Sequence, residues 1–367
     1  MVLWAANPWD GLPATDHHLA TALAKCVDVL WVDPPKSILV SSTRIPAVRE
    51  VAEGLQVLQI PTAPAASRSG VRQVTQFHQQ AVLQGQLARM KRPVAATISC
   101  TARFVMPRRG AGVTVLHVTD DWIAGAPMMG LDAGWITSVL RTNVRRVDVL
   151  SAVSVDLAQM LQRMGPRHPV EVVPNGATPP AADVMGVERR PSAVLVGQLN
   201  ERLDIDLLQA VVDEGVPLLI LGPRTDRDPA QRARLDSLLR QPGVDWLGPV
   251  PREEVTRHLA SSSVGLTPYV INDFNRSSFP LKTLEYLAAG LGVVSTPLES
   301  LYWLGTDLVD VASTPQEFGQ AVRRLADAPQ DLELETRRRA FTEQHSWDAR
   351  VSQLLDLVEA RRALPTR

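Results

Sequence analysis

The chain has 367 residues, of which 45% are apolar and 21% charged, a composition typical of a globular protein with room for two domains of ordinary size. A formal net charge of −1 argues against a general nucleic-acid-binding protein. Two cysteines, Cys26 and Cys100, are too few for a disulfide framework and have no metal-ligand spacing.

Targeting signals are absent from the sequence. Residues 1–6 lack the basic start and the long apolar run of a signal peptide, and no apolar run approaches the ~20 residues of a membrane span. We therefore expect a cytoplasmic protein with reduced cysteines.

The chain begins with a predicted strand at residues 2–6, a loop, a helix at residues 16–25 and a second strand at residues 27–32. This order predicts parallel pairing of the two strands. No Gly-x-Gly-x-x-Gly follows the first strand, so the dinucleotide-binding fingerprint is absent.

Four residues near the first loop are candidates for a site by their position alone. They are Asp10, Gly11, Asp16 and His17. The alternative interpretation is structural: Asp16 caps the helix and His17 is a surface residue.

Strand-like runs continue through the first half and alternate with helical segments, which predicts a doubly wound sheet with helices on both faces. The runs lie at residues 55–60, 94–99, 113–119, 147–153 and 170–173.

Charge is unevenly distributed in this half, because no Asp or Glu occurs between Glu53 and Asp120. The basic residues of the same stretch are Arg68, Arg72, Arg89, Lys91, Arg92, Arg103, Arg108 and Arg109. Residues 71–90 are predicted to form a basic, glutamine-rich amphipathic helix. This helix is either simply solvated or in contact with an anionic surface, such as lipid headgroups or a phosphorylated carrier.

The strand at residues 113–119 leads into two adjacent acids, Asp120 and Asp121. Ligands of doubly wound sheets lie beyond the carboxyl ends of the strands. One of the two carboxylates is therefore a candidate to act as a base or to orient a hydroxyl group of a substrate. Capping of a helix N-terminus by either residue is the alternative. A metal pair is disfavoured, because the spacing differs from the Asp-x-Asp of metal-dependent sugar transferases.

The sequence Val172-Val173-Pro174-Asn175-Gly176 predicts a turn, because Pro, Asn and Gly are typical turn residues. The Pro-rich segment that follows, up to residue 191, is predicted to be an inter-domain linker. A second series of strands and helices follows. Its strands are predicted at residues 193–197, 217–221, 244–247 and 264–269, and its last helices at residues 315–326, 332–343 and 347–360.

The loop after residue 197 offers two features for a phosphate group. Gly197 has no Cβ, so its backbone N–H allows close approach of a phosphate. Arg202 is the nearest cation, although a surface arginine is the plain alternative.

Residues 277–297 read Ser-Ser-Phe-Pro-Leu-Lys-Thr-Leu-Glu-Tyr-Leu-Ala-Ala-Gly-Leu-Gly-Val-Val-Ser-Thr-Pro and predict a helix at residues 280–289 followed by a buried strand. Lys282 and Glu285 share one face of this helix. A lysine near a helix N-terminus suits a bound phosphate, and Glu285 one turn further suits sugar hydroxyls. A solvated ion pair is the alternative.

The segments at residues 172–176 and 277–297 resemble those of GT-B glycosyltransferases of the family 4-like group (group 1), in particular those of teichuronic acid and other cell-envelope polysaccharides. The resemblance implies an α/β fold of two Rossmann-like doubly wound domains facing across a cleft. Their expected bounds are residues 1–174 (acceptor domain), 175–345 (donor domain) and 346–367 (a helix that crosses back to the first domain).

The resemblance also implies site residues. The implied donor-binding residues are Gly197, Arg202, Pro249, Asn272, Ser278, Phe279, Pro280, Leu281, Lys282 and Glu285. Asn272, Asp273, Asn275 and Arg276 are expected in a loop that reaches the donor sugar. The implied catalytic residues are His117, Asp120, Asp121 and Lys282, and the loop with Asp10, Gly11 and His17 is implied to lie near the acceptor.

Two positions depart from the family pattern. Ser277 stands where the family has a Glu that touches the donor sugar, and Gln198 stands where many relatives have an Arg.

The expected function is hexosyl transfer from a nucleotide-diphosphate-sugar to a hydroxyl of a glycan, lipid-linked or small-molecule acceptor. The resemblance implies retention of configuration, no metal, no cofactor and no nucleic acid, with peripheral contact to the inner, anionic face of the membrane as a further expectation. The alternatives are a sugar-nucleotide 2-epimerase of the same fold and a degenerate, non-catalytic nucleotide-binding or scaffold relative.

Overall fold

The computed structural model describes residues 1–41, 43–66, 68, 70–91, 93–107, 112–178, 187–279 and 281–363. Contacts divide the chain into two compact units: Met1–Pro174 with the segment from Trp347 on (the first unit) and Asn175–Ser346 (the second unit). Four residues named from the sequence, Arg92, Arg108, Arg109 and Pro280, lie outside the described residues.

Ten strands are described in the first unit. They are β1 (Val2–Trp4), β2 (Val29–Val32), β3 (Lys36–Ser37), β4 (Ala47–Ala52), β5 (Leu55–Gln59), β6 (Pro61–Thr62), β7 (Ala96–Ser99), β8 (Val113–Val118), β9 (Val149–Ala152) and β10 (Val170–Val172). Eight form one sheet in the order β10-β9-β8-β7-β1-β2-β5-β4, and β3 pairs with β6. All pairs of the large sheet are parallel except β4 with β5.

The direction of the strand order reverses at β1, which pairs with β2 on one side and with β7 on the other. This reversal is the topological switch point of the sheet, the place where doubly wound sheets bind ligands.

Helices precede and follow these strands in the first unit. They are α1 (Thr15–Ala24), α2 (Val71–Met90), α3 (Ala126–Met129), α4 (Ala133–Val144) and α5 (Val155–Gln162). Central strands such as β1, β2 and β8 are buried along their whole length, because parallel strands are covered on both faces and therefore consist of continuous apolar runs.

The second unit repeats the architecture with a wholly parallel sheet in the order β13-β12-β11-β14-β15-β16. Its strands are β11 (Arg190–Val196), β12 (Leu218–Leu221), β13 (Val244–Gly248), β14 (Ser262–Thr267), β15 (Gly292–Ser295) and β16 (Asp310–Val311). Its helices are α6 (Ile205–Asp213), α7 (Pro229–Leu238), α8 (Arg252–Ser261), α9 (Asp273–Ser277), α10 (Leu281–Ala288), α11 (Glu299–Leu304), α12 (Pro315–Asp327) and α13 (Leu332–Glu343).

The last helix, α14 (Trp347–Ala363), belongs to the first unit and packs on α1, β8 and β9. The ring of Trp347 stacks on that of His18, with 5.3 Å between ring centroids, and Lys25 pairs with Asp348 at 2.7 Å. Stacking therefore joins the start of α14 to the helix that follows the first strand.

The helix predicted at residues 280–289 is confirmed by α10, and Gly290 follows it with a φ of +84°. A side chain at position 290 would also meet the guanidinium nitrogens of Arg339 at 2.7 Å and of Arg189 at 2.9 Å. Glycine is favoured there by the positive φ, and a larger residue would also have to displace these guanidinium groups.

Candidate functional site

The carboxyl ends of β11 and β12 approach each other closely in the second unit. A Cβ on Gly222 would lie 1.9 Å from the carbonyl oxygen of Gly197, so the approach requires glycine at 222. A Cβ on Gly197 would meet open space. The Gly197 N–H donates to the Leu221 carbonyl at 2.9 Å, so position 197 offers room for a ligand but its N–H is already used within the sheet, unlike the expectation from sequence.

The loops that follow β11 and β14 are joined by backbone hydrogen bonds. Asp204 N–H donates to the Pro268 carbonyl at 2.8 Å, and Val270 N–H donates to the Arg202 carbonyl at 3.0 Å. These bonds fix the Arg202 backbone at the carboxyl edge of the sheet, between the strands where the chain order of the second unit reverses.

The Arg202 side chain is half-buried and held from three sides. Its Nε donates to Asn275 Oδ1 at 2.8 Å, and its guanidinium carbon lies 5.0 Å from the Tyr269 ring centroid and 4.9 Å from that of Phe274. Within the described residues it has no carboxylate partner, so the guanidinium charge is oriented but not neutralised.

Asn275 is the residue that orients Arg202. It is fully buried, and its Nδ2 donates to the carbonyls of Val270 at 2.9 Å and Arg202 at 3.2 Å. The segment expected to be a loop is helix α9, whose N-cap Asn272 accepts the Asn275 N–H at 2.9 Å. The expectation that Asn275 reaches a sugar is therefore wrong, because its side chain is enclosed.

Lys282 lies in the first turn of α10, and its Nζ donates to Glu285 Oε2 at 2.6 Å. The exposed fractions of the two side chains are 26% and 18%, so the pair is partly enclosed rather than freely solvated. Lys282 and Glu285 therefore form the ion pair of the alternative interpretation, but this pair is not freely solvated.

Helix α10 is fixed to the sheet through Tyr286. The buried phenol oxygen accepts the Val196 N–H at 2.8 Å, one residue before Gly197. A Cβ on Gly265 in β14 would lie 2.3 Å from Tyr286 Cγ, so the ring packs directly on a strand backbone. Tyr286 was not predicted as a site residue, because its apolar position within the helical spacing of residues 280–289 indicated only that it is buried.

The other donor-binding candidates differ in exposure. Ser278 and Phe279 are buried, and Ser278 Oγ donates to the Phe274 carbonyl at 2.9 Å, so their side chains shape the segment that leads into α10. Leu281 is half-buried, and Pro249 and Asn272 are exposed. Pro280 lies outside the described residues.

In the first unit, His117 is buried near the carboxyl end of β8. Its Nδ1 lies 3.0 Å from Ser151 Oγ. Burial lowers the pKa of His117 to about 4. The imidazole is therefore neutral at pH 7 and a weak base.

Asp121 binds the turn that follows β8, because its Oδ1 accepts the N–H groups of Ile123 at 3.0 Å and Ala124 at 2.9 Å. Its Oδ2 accepts no hydrogen bond from the described residues. Asp120 is half-buried and accepts the Thr119 hydroxyl at 3.3 Å. Asp121 therefore binds a turn and does not cap a helix, because the N-cap of α3 is Gly125, and its Oδ2 is still available.

The loop after β1 is built on buried polar residues. Asp16 Oδ2 accepts the N–H groups of Ala6 at 2.9 Å and Asn7 at 3.0 Å, and its Oδ1 lies 3.2 Å from His17 Nδ1. His17 is buried, so the alternative of a surface histidine is wrong. Helix α1 has Ala14 as its N-cap, so Asp16 supports the preceding loop instead of capping the helix.

Asp10 and Gly11 are exposed in the same loop. Asp10 forms an ion pair with Arg49 on β4, and the Gly11 N–H donates to the Pro8 carbonyl at 2.9 Å. Neither position shows a buried or strained feature that distinguishes a site.

Among the described residues, no group of three or more His, Cys, Asp or Glu side chains has the arrangement of a metal site. No helix in the described part of the chain is long and apolar enough to cross a membrane.

Comparison with known proteins gives a family and a fold. A family model described as "Glycosyl transferase-like" matches residues 202–356. The putative teichuronic acid biosynthesis glycosyltransferase TuaH of Bacillus subtilis (strain 168) is 33% identical over 146 residues, 36% of each chain. The match thus spans about a third of that curated relative.

Solved structures align over nearly the whole chain. Sucrose-phosphate synthase from Thermosynechococcus elongatus has a TM-score of 0.75 at 16% identity, covering 99% of this chain and 98% of that one. The E. coli structure "Trehalose-6-phosphate … bound with UDP-2-fluoro glucose" has a TM-score of 0.68 at 12% identity, with full coverage of both chains. WaaG, "a glycosyltransferase involved in lipopolysaccharide biosynthesis", has a TM-score of 0.67 at 12% identity, covering 98% and 99%.

At such identities the structures establish the fold, and the expectation of two Rossmann-like sheets is confirmed. The chain has the GT-B fold, and its residues 202–356 match the glycosyl transferase-like family model.

Proposed function

We propose that this protein is a glycosyltransferase that moves a sugar from a nucleotide-diphosphate-sugar to a hydroxyl group of an acceptor. The observation that carries the proposal is Arg202, an oriented cation at the switch point of the second unit that has no carboxylate partner among the described residues. Such a charge at the carboxyl edge of a doubly wound sheet suits the diphosphate of a nucleotide-sugar. The match of this unit to the glycosyl transferase-like family and to a fold neighbour titled as bound with UDP-2-fluoro glucose supports the assignment.

The diphosphate is the leaving group of the reaction, so positive charge near it lowers the barrier. Arg202 supplies a planar fork of donors. Lys282 has an ammonium with three N–H donors, of which one is used by Glu285. Two fixed cations neutralise the developing charge, which is why we propose a metal-independent reaction.

Glu285 lies one turn beyond the start of α10, and we assign it to the sugar hydroxyls of the nucleoside. The ion pair with Lys282 holds its carboxylate in place before a ligand arrives. The same carboxylate pairs with the Lys282 ammonium next to the helix N-terminus, where a lone cation is unfavourable.

The reaction breaks the bond between the sugar anomeric carbon and the diphosphate oxygen and forms a bond from that carbon to the acceptor oxygen. The acceptor proton needs a base, and in the first unit we assign this role to Asp121 through its available Oδ2. Neutral, buried His117 is better suited to donate a hydrogen bond than to take a proton. Asp120 remains a candidate for orienting the acceptor.

Calorimetric titration of the full chain with UDP, GDP and dTDP tests nucleotide binding, and incubation with the matching nucleotide-sugar tests chemistry. We expect one nucleotide to bind and its sugar to be hydrolysed or transferred. The variants Lys282→Ala, Glu285→Ala and Arg202→Gln should lose this activity with little change in melting temperature. Arg257→Gln, an exposed arginine of α8, is the matched control.

Two results would contradict the proposal. Full activity of the Lys282 and Glu285 variants would remove the site, and no binding of any nucleotide would favour a scaffold protein. Chromatography of the nucleotide-sugar after incubation separates transfer or hydrolysis from epimerisation, which would yield a new isomer.

Membrane contact is a second proposal, carried by α2. Its buried stripe is Thr75, Gln79 and Leu83, whereas Val74 and Phe77 point outward with exposed fractions of 69% and 74%. Because residues 54–119 contain no acid, we propose that this outer face contacts an anionic lipid surface. Flotation with anionic liposomes should recover the full chain but not Phe77→Ser or Arg89→Glu; equal flotation of all three would contradict the proposal.

A further inference from the structure

We propose that Arg103 binds a phosphate group of the acceptor substrate at the switch point of the first unit's sheet. The assignment of this phosphate to the acceptor substrate rests on the proposed function, whereas the binding of a phosphate by Arg103 does not. Arg103 lies in the loop of residues 100–107 that follows β7.

Arg103 is a half-buried cation that has no counter-charge in the described part of the chain. Its Nε is buried and has no hydrogen-bond partner, and within the described residues its guanidinium forms no ion pair. Its guanidinium carbon lies 5.5 Å from the centroid of the Trp122 ring. Burial lowers the pKa of Arg103, as expected for a charge removed from water without compensation. Leaving a buried charge unpaired costs folding free energy, so its retention suggests a ligand.

The loop that carries Arg103 is rigid on both sides. The Arg103 N–H donates to Thr101 Oγ1 at 3.2 Å. Beyond it, the fully buried Asn143 accepts the Met106 N–H at 2.9 Å and donates to the Phe104 carbonyl at 2.7 Å. The backbone of the loop is therefore held in place on both sides of Arg103 before any ligand binds, which reduces the entropy lost on binding.

The same loop lies at the switch point. β7 pairs with β1 there, and the Phe104 ring stacks on that of Trp4 on β1, with centroids 4.0 Å apart. Trp122, over which Arg103 lies, follows β8 on the other side of β7. Arg103 thus stands at the carboxyl ends of the strands where this class of sheet binds ligands.

Among the described residues, the carboxylates of the loops that follow β1 and β8 form no ion pair with Arg103 and have other partners. Asp16 is engaged by the backbone of Ala6 and Asn7 and lies against His17, and Asp121 accepts two backbone N–H groups. Asp120 accepts the Thr119 hydroxyl.

A phosphate group fits this site better than a neutral sugar hydroxyl. Arginine presents parallel N–H donors that match phosphate oxygens. The charge of an enclosed guanidinium is compensated by an anion and not by an uncharged hydroxyl group. The absence of acids between residues 54 and 119 favours a ligand with more than one negative charge. A phosphorylated sugar and a lipid diphosphate share this chemistry.

Calorimetry with inorganic pyrophosphate tests the site in the Arg202→Gln, Lys282→Ala double variant of the full chain, which lacks both cations assigned to the donor diphosphate. We expect one binding event that Arg103→Gln weakens at least tenfold, that Arg103→Lys weakens less, and that Arg167→Gln leaves unchanged. Arg167 is an exposed loop arginine of the same unit. Equal affinity in the Arg103→Gln variant would overturn the inference and leave the proposed function untouched.

Thermal unfolding separates binding from a structural role. Arg103→Met should unfold at the same or a higher temperature than the parent without pyrophosphate, and should lose the rise in melting temperature that pyrophosphate causes. A lower melting temperature with an unchanged rise would overturn the inference. Competition by glucose 6-phosphate or by geranyl diphosphate identifies the source of the phosphate, and competition by neither would overturn the assignment to an acceptor.

Discussion

Asn275 Oδ1 accepts a hydrogen bond from Arg202 Nε at 2.8 Å, and the same side chain donates to the Arg202 carbonyl at 3.2 Å. One buried amide thus fixes both the backbone and the charge of the residue that we assign to the donor diphosphate. We therefore assign Asn275 as a positioning residue, since its side chain is fully enclosed and contacts Arg202.

The variant Asn275→Ala is expected to weaken nucleotide-diphosphate binding about tenfold, equivalent to about 1.4 kcal/mol, because Arg202 loses its orientation. Unfolding should also become easier by about 1–3 kcal/mol, since buried groups lose their partners. Calorimetry with the nucleotide and denaturant unfolding measure the two effects. If binding stays at the parental level while stability falls, Asn275 serves the fold alone.

The Tyr286 hydroxyl should be needed to hold α10 against β11. Tyr286→Phe leaves the Val196 N–H unpaired in the core, so we expect a loss of about 1–3 kcal/mol in unfolding free energy. Tyr302→Phe is the matched control, because the Tyr302 side chain is 61% exposed. Chemical denaturation of both variants checks this, and equal stability of the two would contradict it.

The two parallel sheets and the limits of α10 follow from patterns in the sequence. Continuous apolar runs alternate with helical periodicity, and Gly290 ends the helix because glycine adopts a positive φ without strain. Such features are local, which is why one sequence suffices to predict them.

The contacts that build the site are not local. Helix α9 has only five residues, too few for a helical period to be visible, so its segment was predicted as a loop. The hydrogen bond from Arg202 to Asn275 joins residues 73 positions apart, and that from Val196 to Tyr286 joins residues 90 apart. Nothing in the spacing of these residues indicates that they meet, so their roles appear only in the folded chain.

A buried ionic cluster stabilises the end of the second unit opposite the candidate site. Glu335 is 2% exposed and accepts from Arg189 Nε and Arg339 Nη2, both at 2.7 Å. Arg189 also donates to the carbonyl of Ala289, at the C-terminal end of α10, at 2.7 Å. The cluster therefore links α13 to the last turn of the helix that carries Lys282.

Glu335→Gln should lower the unfolding free energy by about 3–5 kcal/mol, because it leaves two enclosed guanidinium groups without a counter-charge. Asp307→Asn is the control: its partner Arg337 lies 3.2 Å away, and both side chains are more than half exposed, so a change below about 1 kcal/mol is expected. Denaturant unfolding measures the contrast. Similar losses of unfolding free energy in the two variants would contradict the prediction that the buried ion pairs of Glu335 contribute more than the exposed pair of Asp307.

The pH dependence of stability should report on His17. Burial lowers the pKa of His17, but the hydrogen bond to Asp16, the charge of Asp16 and the carbonyls of Trp9 and Pro8 raise it by more, so the net pKa is above the usual value of 6.5. The protonated ring is therefore favoured in the folded state, and its contribution is complete below pH 6.5 and lost as the pH rises through the folded pKa. Each unit of upward shift corresponds to about 1.4 kcal/mol. Melting temperatures between pH 5 and 9 should fall with rising pH for the parent and for His78→Gln, an exposed histidine of α2, but less for His17→Gln. A parallel decline in all three would assign the pH dependence to another group.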